Sequence, residues 1–200
     1  MKKLVFIFSV VVLIPFFCFT QVIDTINYIS PFYDGFASIQ KDKEWGIIDE
    51  DGAIVIDFRD DMVSLKIKNE SYPVFISGRC LIKEIKDDVA YFGYININGD
   101  IVVKPQFINA TNFKYDKAIV TKLIKYELGY NRIMEKPVVS YKYQEIVIDR
   151  SGEIIVFLTK EKPLSYLKPF RKIPIINSKI ISENLVIIKN ERDKILLKKI

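Results

Sequence analysis

Two hundred residues, half of them hydrophobic and 13% aromatic, can bury a real core in one domain or a short repeat array. There is no histidine, and the only cysteines are Cys18 and Cys80. That excludes histidine-based nucleophile pairs and metal sites, and it leaves no partners for a cysteine metal cluster or an intramolecular disulfide once a leader is removed. The net charge of +5 is unevenly spread: residues 160–200 carry 11 Lys and Arg against 4 Asp and Glu, whereas residues 21–159 carry 17 against 21.

Residues 1–20 read as a signal peptide. Met1-Lys2-Lys3 is a basic start, Leu4 to Phe19 is almost wholly apolar, and Cys18 and Thr20 put small residues before a cleavage point at Gln21. The rival readings are an uncleaved membrane anchor, for which the apolar run is short, and a lipoprotein with Cys18 lipidated, against which Phe16 and Phe17 argue. The mature chain is therefore expected to be exported to the periplasm, the outer surface or the medium, and to meet a membrane only through an uncleaved leader. Cys80 is then a lone cysteine, expected to be a small buried hydrophobe.

The mature chain opens with a lead-in, Val22 to Ser30, expected as an edge strand. The stretch from Gly35 to Phe58 reads as two short hairpins end to end. Strands are expected over Phe36–Gln40, Glu44–Asp49 and Ala53–Phe58, with turns at Lys41-Asp42-Lys43 and Glu50-Asp51-Gly52. The spacing Phe32, Gly35, Ala37, Ile39, Trp45-Gly46, Ile48-Asp49, Gly52, Ile54 then recurs. A second copy, offset by 47 residues at its second turn (Gly99 against Gly52), runs through Phe75, Gly78, Cys80, Ile82, Phe92-Gly93, Ile95-Asn96, Gly99 and Ile101 to Phe107. A third starts at Phe113, Asp116, Ala118, Val120 and resumes at Glu145-Ile146, Ile148-Asp149, Gly152 and Ile154. A partial fourth is Ile181, Asn184, Val186, Ile188. The first turn position is Gly35, Gly78, Asp116 or Asn184, all residue types that tolerate positive φ. Such a period indicates stacked repeats.

The first copy, Glu44-Trp45-Gly46-Ile47-Ile48-Asp49-Glu50-Asp51-Gly52-Ala53-Ile54-Val55-Ile56, resembles the WG-repeat (KWG-type) family. Asp57 stands where that family has proline, the second copy has Phe92 for tryptophan but keeps Pro105 and Phe107, and later copies are degenerate. The resemblance implies a β-rich module of bacterial, often exported, proteins, with a binding or scaffolding role and no reaction. The expected fold is all-β: tandem antiparallel β-hairpin repeats with little helix. Its organisation is a signal peptide (1–20), a repeat domain (21–159, copies near 32–58, 75–107 and 113–156), and a connector with a partial terminal repeat (160–200). Short helices are expected only around Asp60–Asn69 and Leu164–Arg171, with an irregular connection over Lys160–Ser178.

The copies differ in the length of one hairpin. Eleven positions separate Gly35 from Gly46, 15 separate Gly78 from Gly93, and 30 separate Asp116 from Ile146. The long third hairpin, Ala118 to Asp149, carries Lys122, Tyr126, Tyr130, Arg132, Tyr141 and Tyr143, with Gly129-Tyr130-Asn131 expected near its tip. Repeat insertions gather on one face, often the binding face, so these six residues form the candidate interaction surface. No catalytic residue, cofactor site or metal site is assigned. Asp49-x-Asp51-Gly52 lacks the remaining ligands of a calcium loop, and turn formation accounts for its acids. Trp45 and Phe92 are expected in the core rather than as stacking platforms. An enzyme would have to work with carboxylates, lysine or tyrosine alone, and no acid pair recurs. The expected partner is another envelope or extracellular protein; the alternative is a glycan or other envelope ligand. The basic terminal segment reads as a solubilising face, with acidic polysaccharide or anionic lipid as its other possible contact. Nucleic acid is not expected.

Overall fold

A computed structural model describes residues 25–164, 173–189 and 194–200. All regular structure in them is β. In chain order the strands are β1 (Tyr28–Ile29), β2 (Phe36–Lys41), β3 (Glu44–Asp49), β4 (Ile54–Arg59), β5 (Leu65–Ile67), β6 (Glu70–Tyr72), β7 (Cys80–Lys86) and β8 (Val89–Ile95). They continue with β9 (Ile101–Ala110), β10 (Lys117–Asn131), β11 (Lys136–Asp149), β12 (Ile154–Phe157), β13 (Lys162–Pro163), β14 (Ser178–Ser182), β15 (Leu185–Lys189) and β16 (Ile195–Lys199). Every pairing between strands is antiparallel.

Each repeat is built around an inner hairpin: β2–β3, β7–β8, β10–β11 and β15–β16. A two-residue turn leads into it. Asp34-Gly35, Ser77-Gly78 and Tyr115-Asp116 all have positive φ at both positions. They are closed by the pairs Tyr33↔Phe36, Ile76↔Arg79 and Lys114↔Lys117. Two successive left-handed residues make the primed turn whose twist suits a hairpin. The fourth turn departs from expectation, because Asn184 is not among the positive-φ residues. A second turn leaves the inner hairpins of repeats 1 to 3 with constant chemistry. Asp49 Oδ1 accepts the N–H groups of Asp51 (3.0 Å) and Ala53 (2.9 Å). Asn96 Oδ1 accepts those of Asn98 and Asp100, both at 2.9 Å. Asp149 Oδ1 accepts those of Ser151 (2.8 Å) and Glu153 (3.0 Å). Asp49 and Asp149 are therefore used by the backbone of the turn. The return strand then pairs identically in all three copies: Ile48↔Ile54, Ile95↔Ile101 and Ile148↔Ile154.

In β9 the return strand of repeat 2 is also the lead-in of repeat 3. The first half of β9 pairs with β8, and its second half pairs with β10 through Ala110↔Val120 and Asn109↔Thr121. After β4, Val63 N–H donates to Leu81 O (2.9 Å) and Lys83 N–H donates to Asp61 O (2.8 Å). This pairing is why no helix forms over Asp60–Asn69. Residues 61–63 supply the edge that β7 needs, and β5–β6 then makes a small hairpin. The other expected helix, Leu164–Arg171, falls on 165–172, outside the described residues.

Side-chain alternation along the inner hairpins builds a stack. Trp45 and Ile47 of repeat 1 pack with Cys80, Ile82 and Ile95 of repeat 2. Leu81 and Tyr94 of repeat 2 pack with Ala118, Val120, Ile146 and Ile148 of repeat 3. Ile119 and Val147 of repeat 3 pack with Ile180, Val186 and Ile188 of repeat 4. A middle repeat thus buries both faces, which is why Ala118-Ile119-Val120 and Ile146-Val147-Ile148 are unbroken apolar runs. Each core lies between neighbours, the arrangement of a solenoid. Trp45 is 8% exposed and meets Tyr28 edge-on at 5.9 Å. Cys80 is buried.

Candidate functional site

The inner hairpin of repeat 3 outgrows its supports. On one side β9 pairs with β10 only as far as Lys122↔Phe107. On the other, β13 pairs with β11 at Tyr143↔Lys162 and Lys142↔Pro163, and Leu164 N–H donates to Tyr141 O (2.9 Å). Beyond these points, among the described residues, β10 and β11 pair only with each other, out to Asn131↔Lys136. At ~3.3 Å per residue the arm reaches on the order of 25 Å past the body.

Register decides which side chains share a face. Lys122, Ile124 and Tyr126 stand opposite Gln144, Lys142 and Ser140, whereas Leu123 and Lys125 stand opposite Tyr143 and Tyr141. A bulge between Glu127 and Gly129 then shifts the register, so that Tyr130 pairs with Pro137. The extra residue flips the parity of β10. Tyr130 consequently falls on the face of Tyr141 and Tyr143, not on that of Tyr126. The six residues singled out in the sequence do not form one cluster. Lys122 and Tyr126 lie on one face, Tyr130, Tyr141 and Tyr143 on the other, and Arg132 in the tip.

The Tyr126 face is tied down near its base. The Tyr126 hydroxyl donates to Glu161 Oε2 (2.7 Å), Lys142 Nζ donates to the same oxygen (3.1 Å), and Lys142 Nζ sits over the Tyr126 ring at 4.5 Å. The hydrogen bond from Tyr126, aided by that from Lys142, lowers the pKa of Glu161; the same bond to Glu161 raises that of Tyr126. Gln144 Nε2 also donates to Thr159 O (2.6 Å). Residues 159–163 therefore strap the arm where it leaves the body.

The tip proper is Arg132-Ile133-Met134-Glu135, just beyond the Gly129-Tyr130-Asn131 expected there. Asn131 Oδ1 accepts the N–H groups of Ile133 (3.0 Å) and Met134 (3.1 Å) and holds the turn in shape. Ile133 is 96% exposed, Leu128 67%, Met134 65% and Tyr130 62%. Sequence reasoning favoured the tyrosines and lysines and overlooked Leu128, Ile133 and Met134. The available signal was an apolar pair beside a charged turn, at the apex of the longest hairpin.

Three segments, residues 21–45, 45–59 and 92–126, match the family model described as WG containing repeat. These are WG repeats. The matches span the first repeat, then run from the Phe92-Gly93 strand of the second into the long hairpin of the third. No curated protein and no solved structure matches the chain. The WG pair itself now has a structural reading. Its aromatic fills the core between neighbouring repeats, and its glycine lets the return strand approach. A Cβ on Gly93 would lie 2.3 Å from Val103 O and 2.7 Å from Pro105 N.

In repeat 3 the position that corresponds to Trp45 holds Glu145, which is buried. Its carboxylate accepts the N–H of Asn177 at Oε1 (3.0 Å), and the N–H of Ser178 (3.2 Å) together with the Ser178 hydroxyl at Oε2. The decayed motif is an anchor for repeat 4. A cavity of about 130 Å³ that includes Ser178 in its lining lies between the repeat 3 lead-in turn and β14, with Thr111, Lys114, Ile119 and Ile180. It falls below the ~300–1,000 Å³ of ordinary small-molecule sites, and Lys114 Nζ spans the two elements by donating to Ile180 O (3.2 Å).

Proposed function

We propose that this WG-repeat chain is an exported, non-enzymatic module that docks onto another protein of the bacterial cell envelope through the arm of its third repeat. The observation that carries this reading is the apolar tip, fixed by Asn131 at the end of a hairpin paired out to Asn131↔Lys136. An exposed apolar cluster on a stiff support is an unusual expense for a soluble surface unless something covers it. Its residue types suit that role, because Met, Tyr and Arg are enriched at interfaces. A tip already held in one shape loses little entropy on docking. Export rests on the basic-then-apolar pattern of residues 1–20, which lie outside the described residues. The non-enzymatic reading rests on the chemistry the sequence offers, which includes no histidine and no recurring acid pair.

The register also indicates where to cut. Tyr126 pairs with Ser140, so replacing residues 127–139 by Asn-Gly removes the outer arm and leaves the β9, β13 and Glu161 contacts in place. Affinity capture from envelope extract with the whole and the trimmed chain tests the proposal. The expected result is a defined protein partner retained by the first and lost by the second. A partner retained equally by both would move the binding face to the repeat body and sink the arm reading.

One observation favours a second reading. The bulge gathers Tyr130, Tyr141 and Tyr143 on one face, the kind of aromatic strip on which a sugar ring can stack. Binding of envelope glycan fragments that is lost in Tyr130→Ala would support it, and a glycan array with no bound member would end it.

A further inference from the structure

In WG repeats 1 to 3 the inner hairpin has its outer edge taken by a return strand, β4, β9 or β12. The next repeat covers its trailing face, so Ile47, Tyr94 and Val147 are buried. Repeat 4 has neither cover among the described residues. β16 is the edge of the three-stranded sheet β14-β15-β16. Ile195, Leu196 and Leu197 on it are 68%, 61% and 56% exposed. Ile187 occupies the position of Leu81 and Ile119, which are 3% and 1% exposed, yet it is only half-buried.

The register maps this open end. Ile187 pairs with Leu197 and Lys189 with Ile195, so these four share the trailing face. Leu196 and Lys198 point the other way, and Lys198 Nζ donates to Phe157 O of repeat 3 (2.7 Å). Ile200 N–H donates to Asn184 O (2.9 Å), which sets the hydrogen-bonding parity of β16. The backbone groups of Leu196 and Lys198 therefore turn inward to β15, and those of Ile195, Leu197 and Lys199 turn outward, where they meet no strand among the described residues.

A soluble chain normally guards a bare edge with lysine, proline or a bulge. Here lysines guard only one half, at 198 and 199, and the other half is Ile195-Leu196-Leu197. We propose that β16 pairs antiparallel with β16 of a second copy of this chain, about a two-fold axis through Leu197. That register sets Ile195 of each copy opposite Lys199 of the other, Leu196 opposite Lys198, and Leu197 opposite Leu197. No lysine meets a lysine, and the aliphatic stem of each Lys199 covers an isoleucine. In-register parallel pairing would instead bring Lys198 and Lys199 against their own copies, with strands ~4.8 Å apart, and like charges directly opposite are destabilising. The strand is thus self-complementary in one direction only, as an isologous contact requires. The joined sheet carries Ile187 and Leu197 of both copies as one apolar strip across the axis.

The test is the mass in solution of the full chain carrying Cys18→Ser, followed over a concentration series by light scattering, together with Cys pairs. A dimer is expected. Leu197→Lys, at a half-exposed edge position and with its fold checked by circular dichroism, is expected to abolish it by placing two lysines face to face. Under mild oxidation an equal mixture of Ile195→Cys and Lys199→Cys chains is expected to form a disulfide-linked heterodimer. Ile195→Cys alone is not, because its two copies would lie ~13 Å apart, beyond the ~7 Å Cα limit of a disulfide. A monomer at every concentration, a dimer that survives Leu197→Lys, or ready cross-linking of Ile195→Cys with itself would each overturn the proposal.

Discussion

Ser178 closes over Glu145, giving both its amide (3.2 Å) and its hydroxyl to Oε2, while the neighbouring Asn177 amide takes Oε1 (3.0 Å). This one carboxylate bridges 33 residues of sequence and fastens the lead-in of repeat 4 to the third strand of repeat 3. Glu145→Ala would leave two amides and a hydroxyl without their acceptor beside a buried surface. The expected cost is about 3 kcal/mol, in the range for breaking a buried charged contact. Because the stack is held by nearest-neighbour contacts, the loss should be local. Hydrogen exchange should show β14–β16 losing protection first, with β2–β4 unchanged. Equal deprotection of all repeats would contradict the latch.

The WG glycines make a second, graded prediction. A Cβ on Gly93 meets three backbone atoms of the return strand, at 2.3, 2.7 and 2.9 Å. On Gly46 the closest atoms are Ile56 O at 3.3 Å, then side-chain carbons of Ile39 and Phe58 at 3.4 Å. Backbone cannot step aside without breaking the bulged pairing of β8 with β9, whereas side chains can shift by tenths of an ångström. Gly93→Ala should cost about 3 kcal/mol or more and Gly46→Ala about 1 kcal/mol, the span from overpacking with backbone strain to mild crowding. Urea unfolding followed by Trp45 fluorescence measures both. Trp45, the only tryptophan, sits in the core between repeats 1 and 2. Equal costs at the two sites would show that close approach is not what the glycine provides.

Much of this fold could be read in the sequence because the repeat writes the same backbone chemistry several times. Gly35, Gly78 and Asp116 fall in left-handed turns as their residue types imply, and Gly52, Gly99 and Gly152 do so in the second turn. The expected bounds of β2, β3 and β4 hold to within a residue. What could not be read depends on contacts between repeats. Residues 61–63 look helix-compatible alone, yet the edge of β7 captures them. Glu145 looks like a worn-out tryptophan until Ser178 is seen to grip it. The arm was legible as an insertion, but its two faces were not, because the one-residue shift at Glu127–Gly129 leaves no mark on composition and decides where Tyr130 points.

The turns that close each repeat give a pH prediction. Burial alone would push the Asp149 carboxyl up, but the Ser151 hydroxyl and the N–H groups of Glu153, Ser151 and Gly152 outweigh it and hold its pKa below the ordinary value of 3.8. A native pKa depressed in this way means that the unfolded chain takes up the proton first. The carboxylate therefore adds stability above the unfolded pKa and loses it as pH falls through the lower native value. Repeat 2 supplies a natural control, because Asn96 makes the same two backbone contacts without a titrating group. Asp149→Asn should leave the neutral-pH unfolding midpoint nearly unchanged, since the amide oxygen can accept the Ser151 and Glu153 N–H groups. Between about pH 5 and pH 3 its stability should fall less steeply than that of the parent chain. Asp149→Ala, which removes the acceptor, should be weaker at every pH. Parallel pH profiles for the parent and Asp149→Asn would mean that the turn does not hold the proton off Asp149 in the native state.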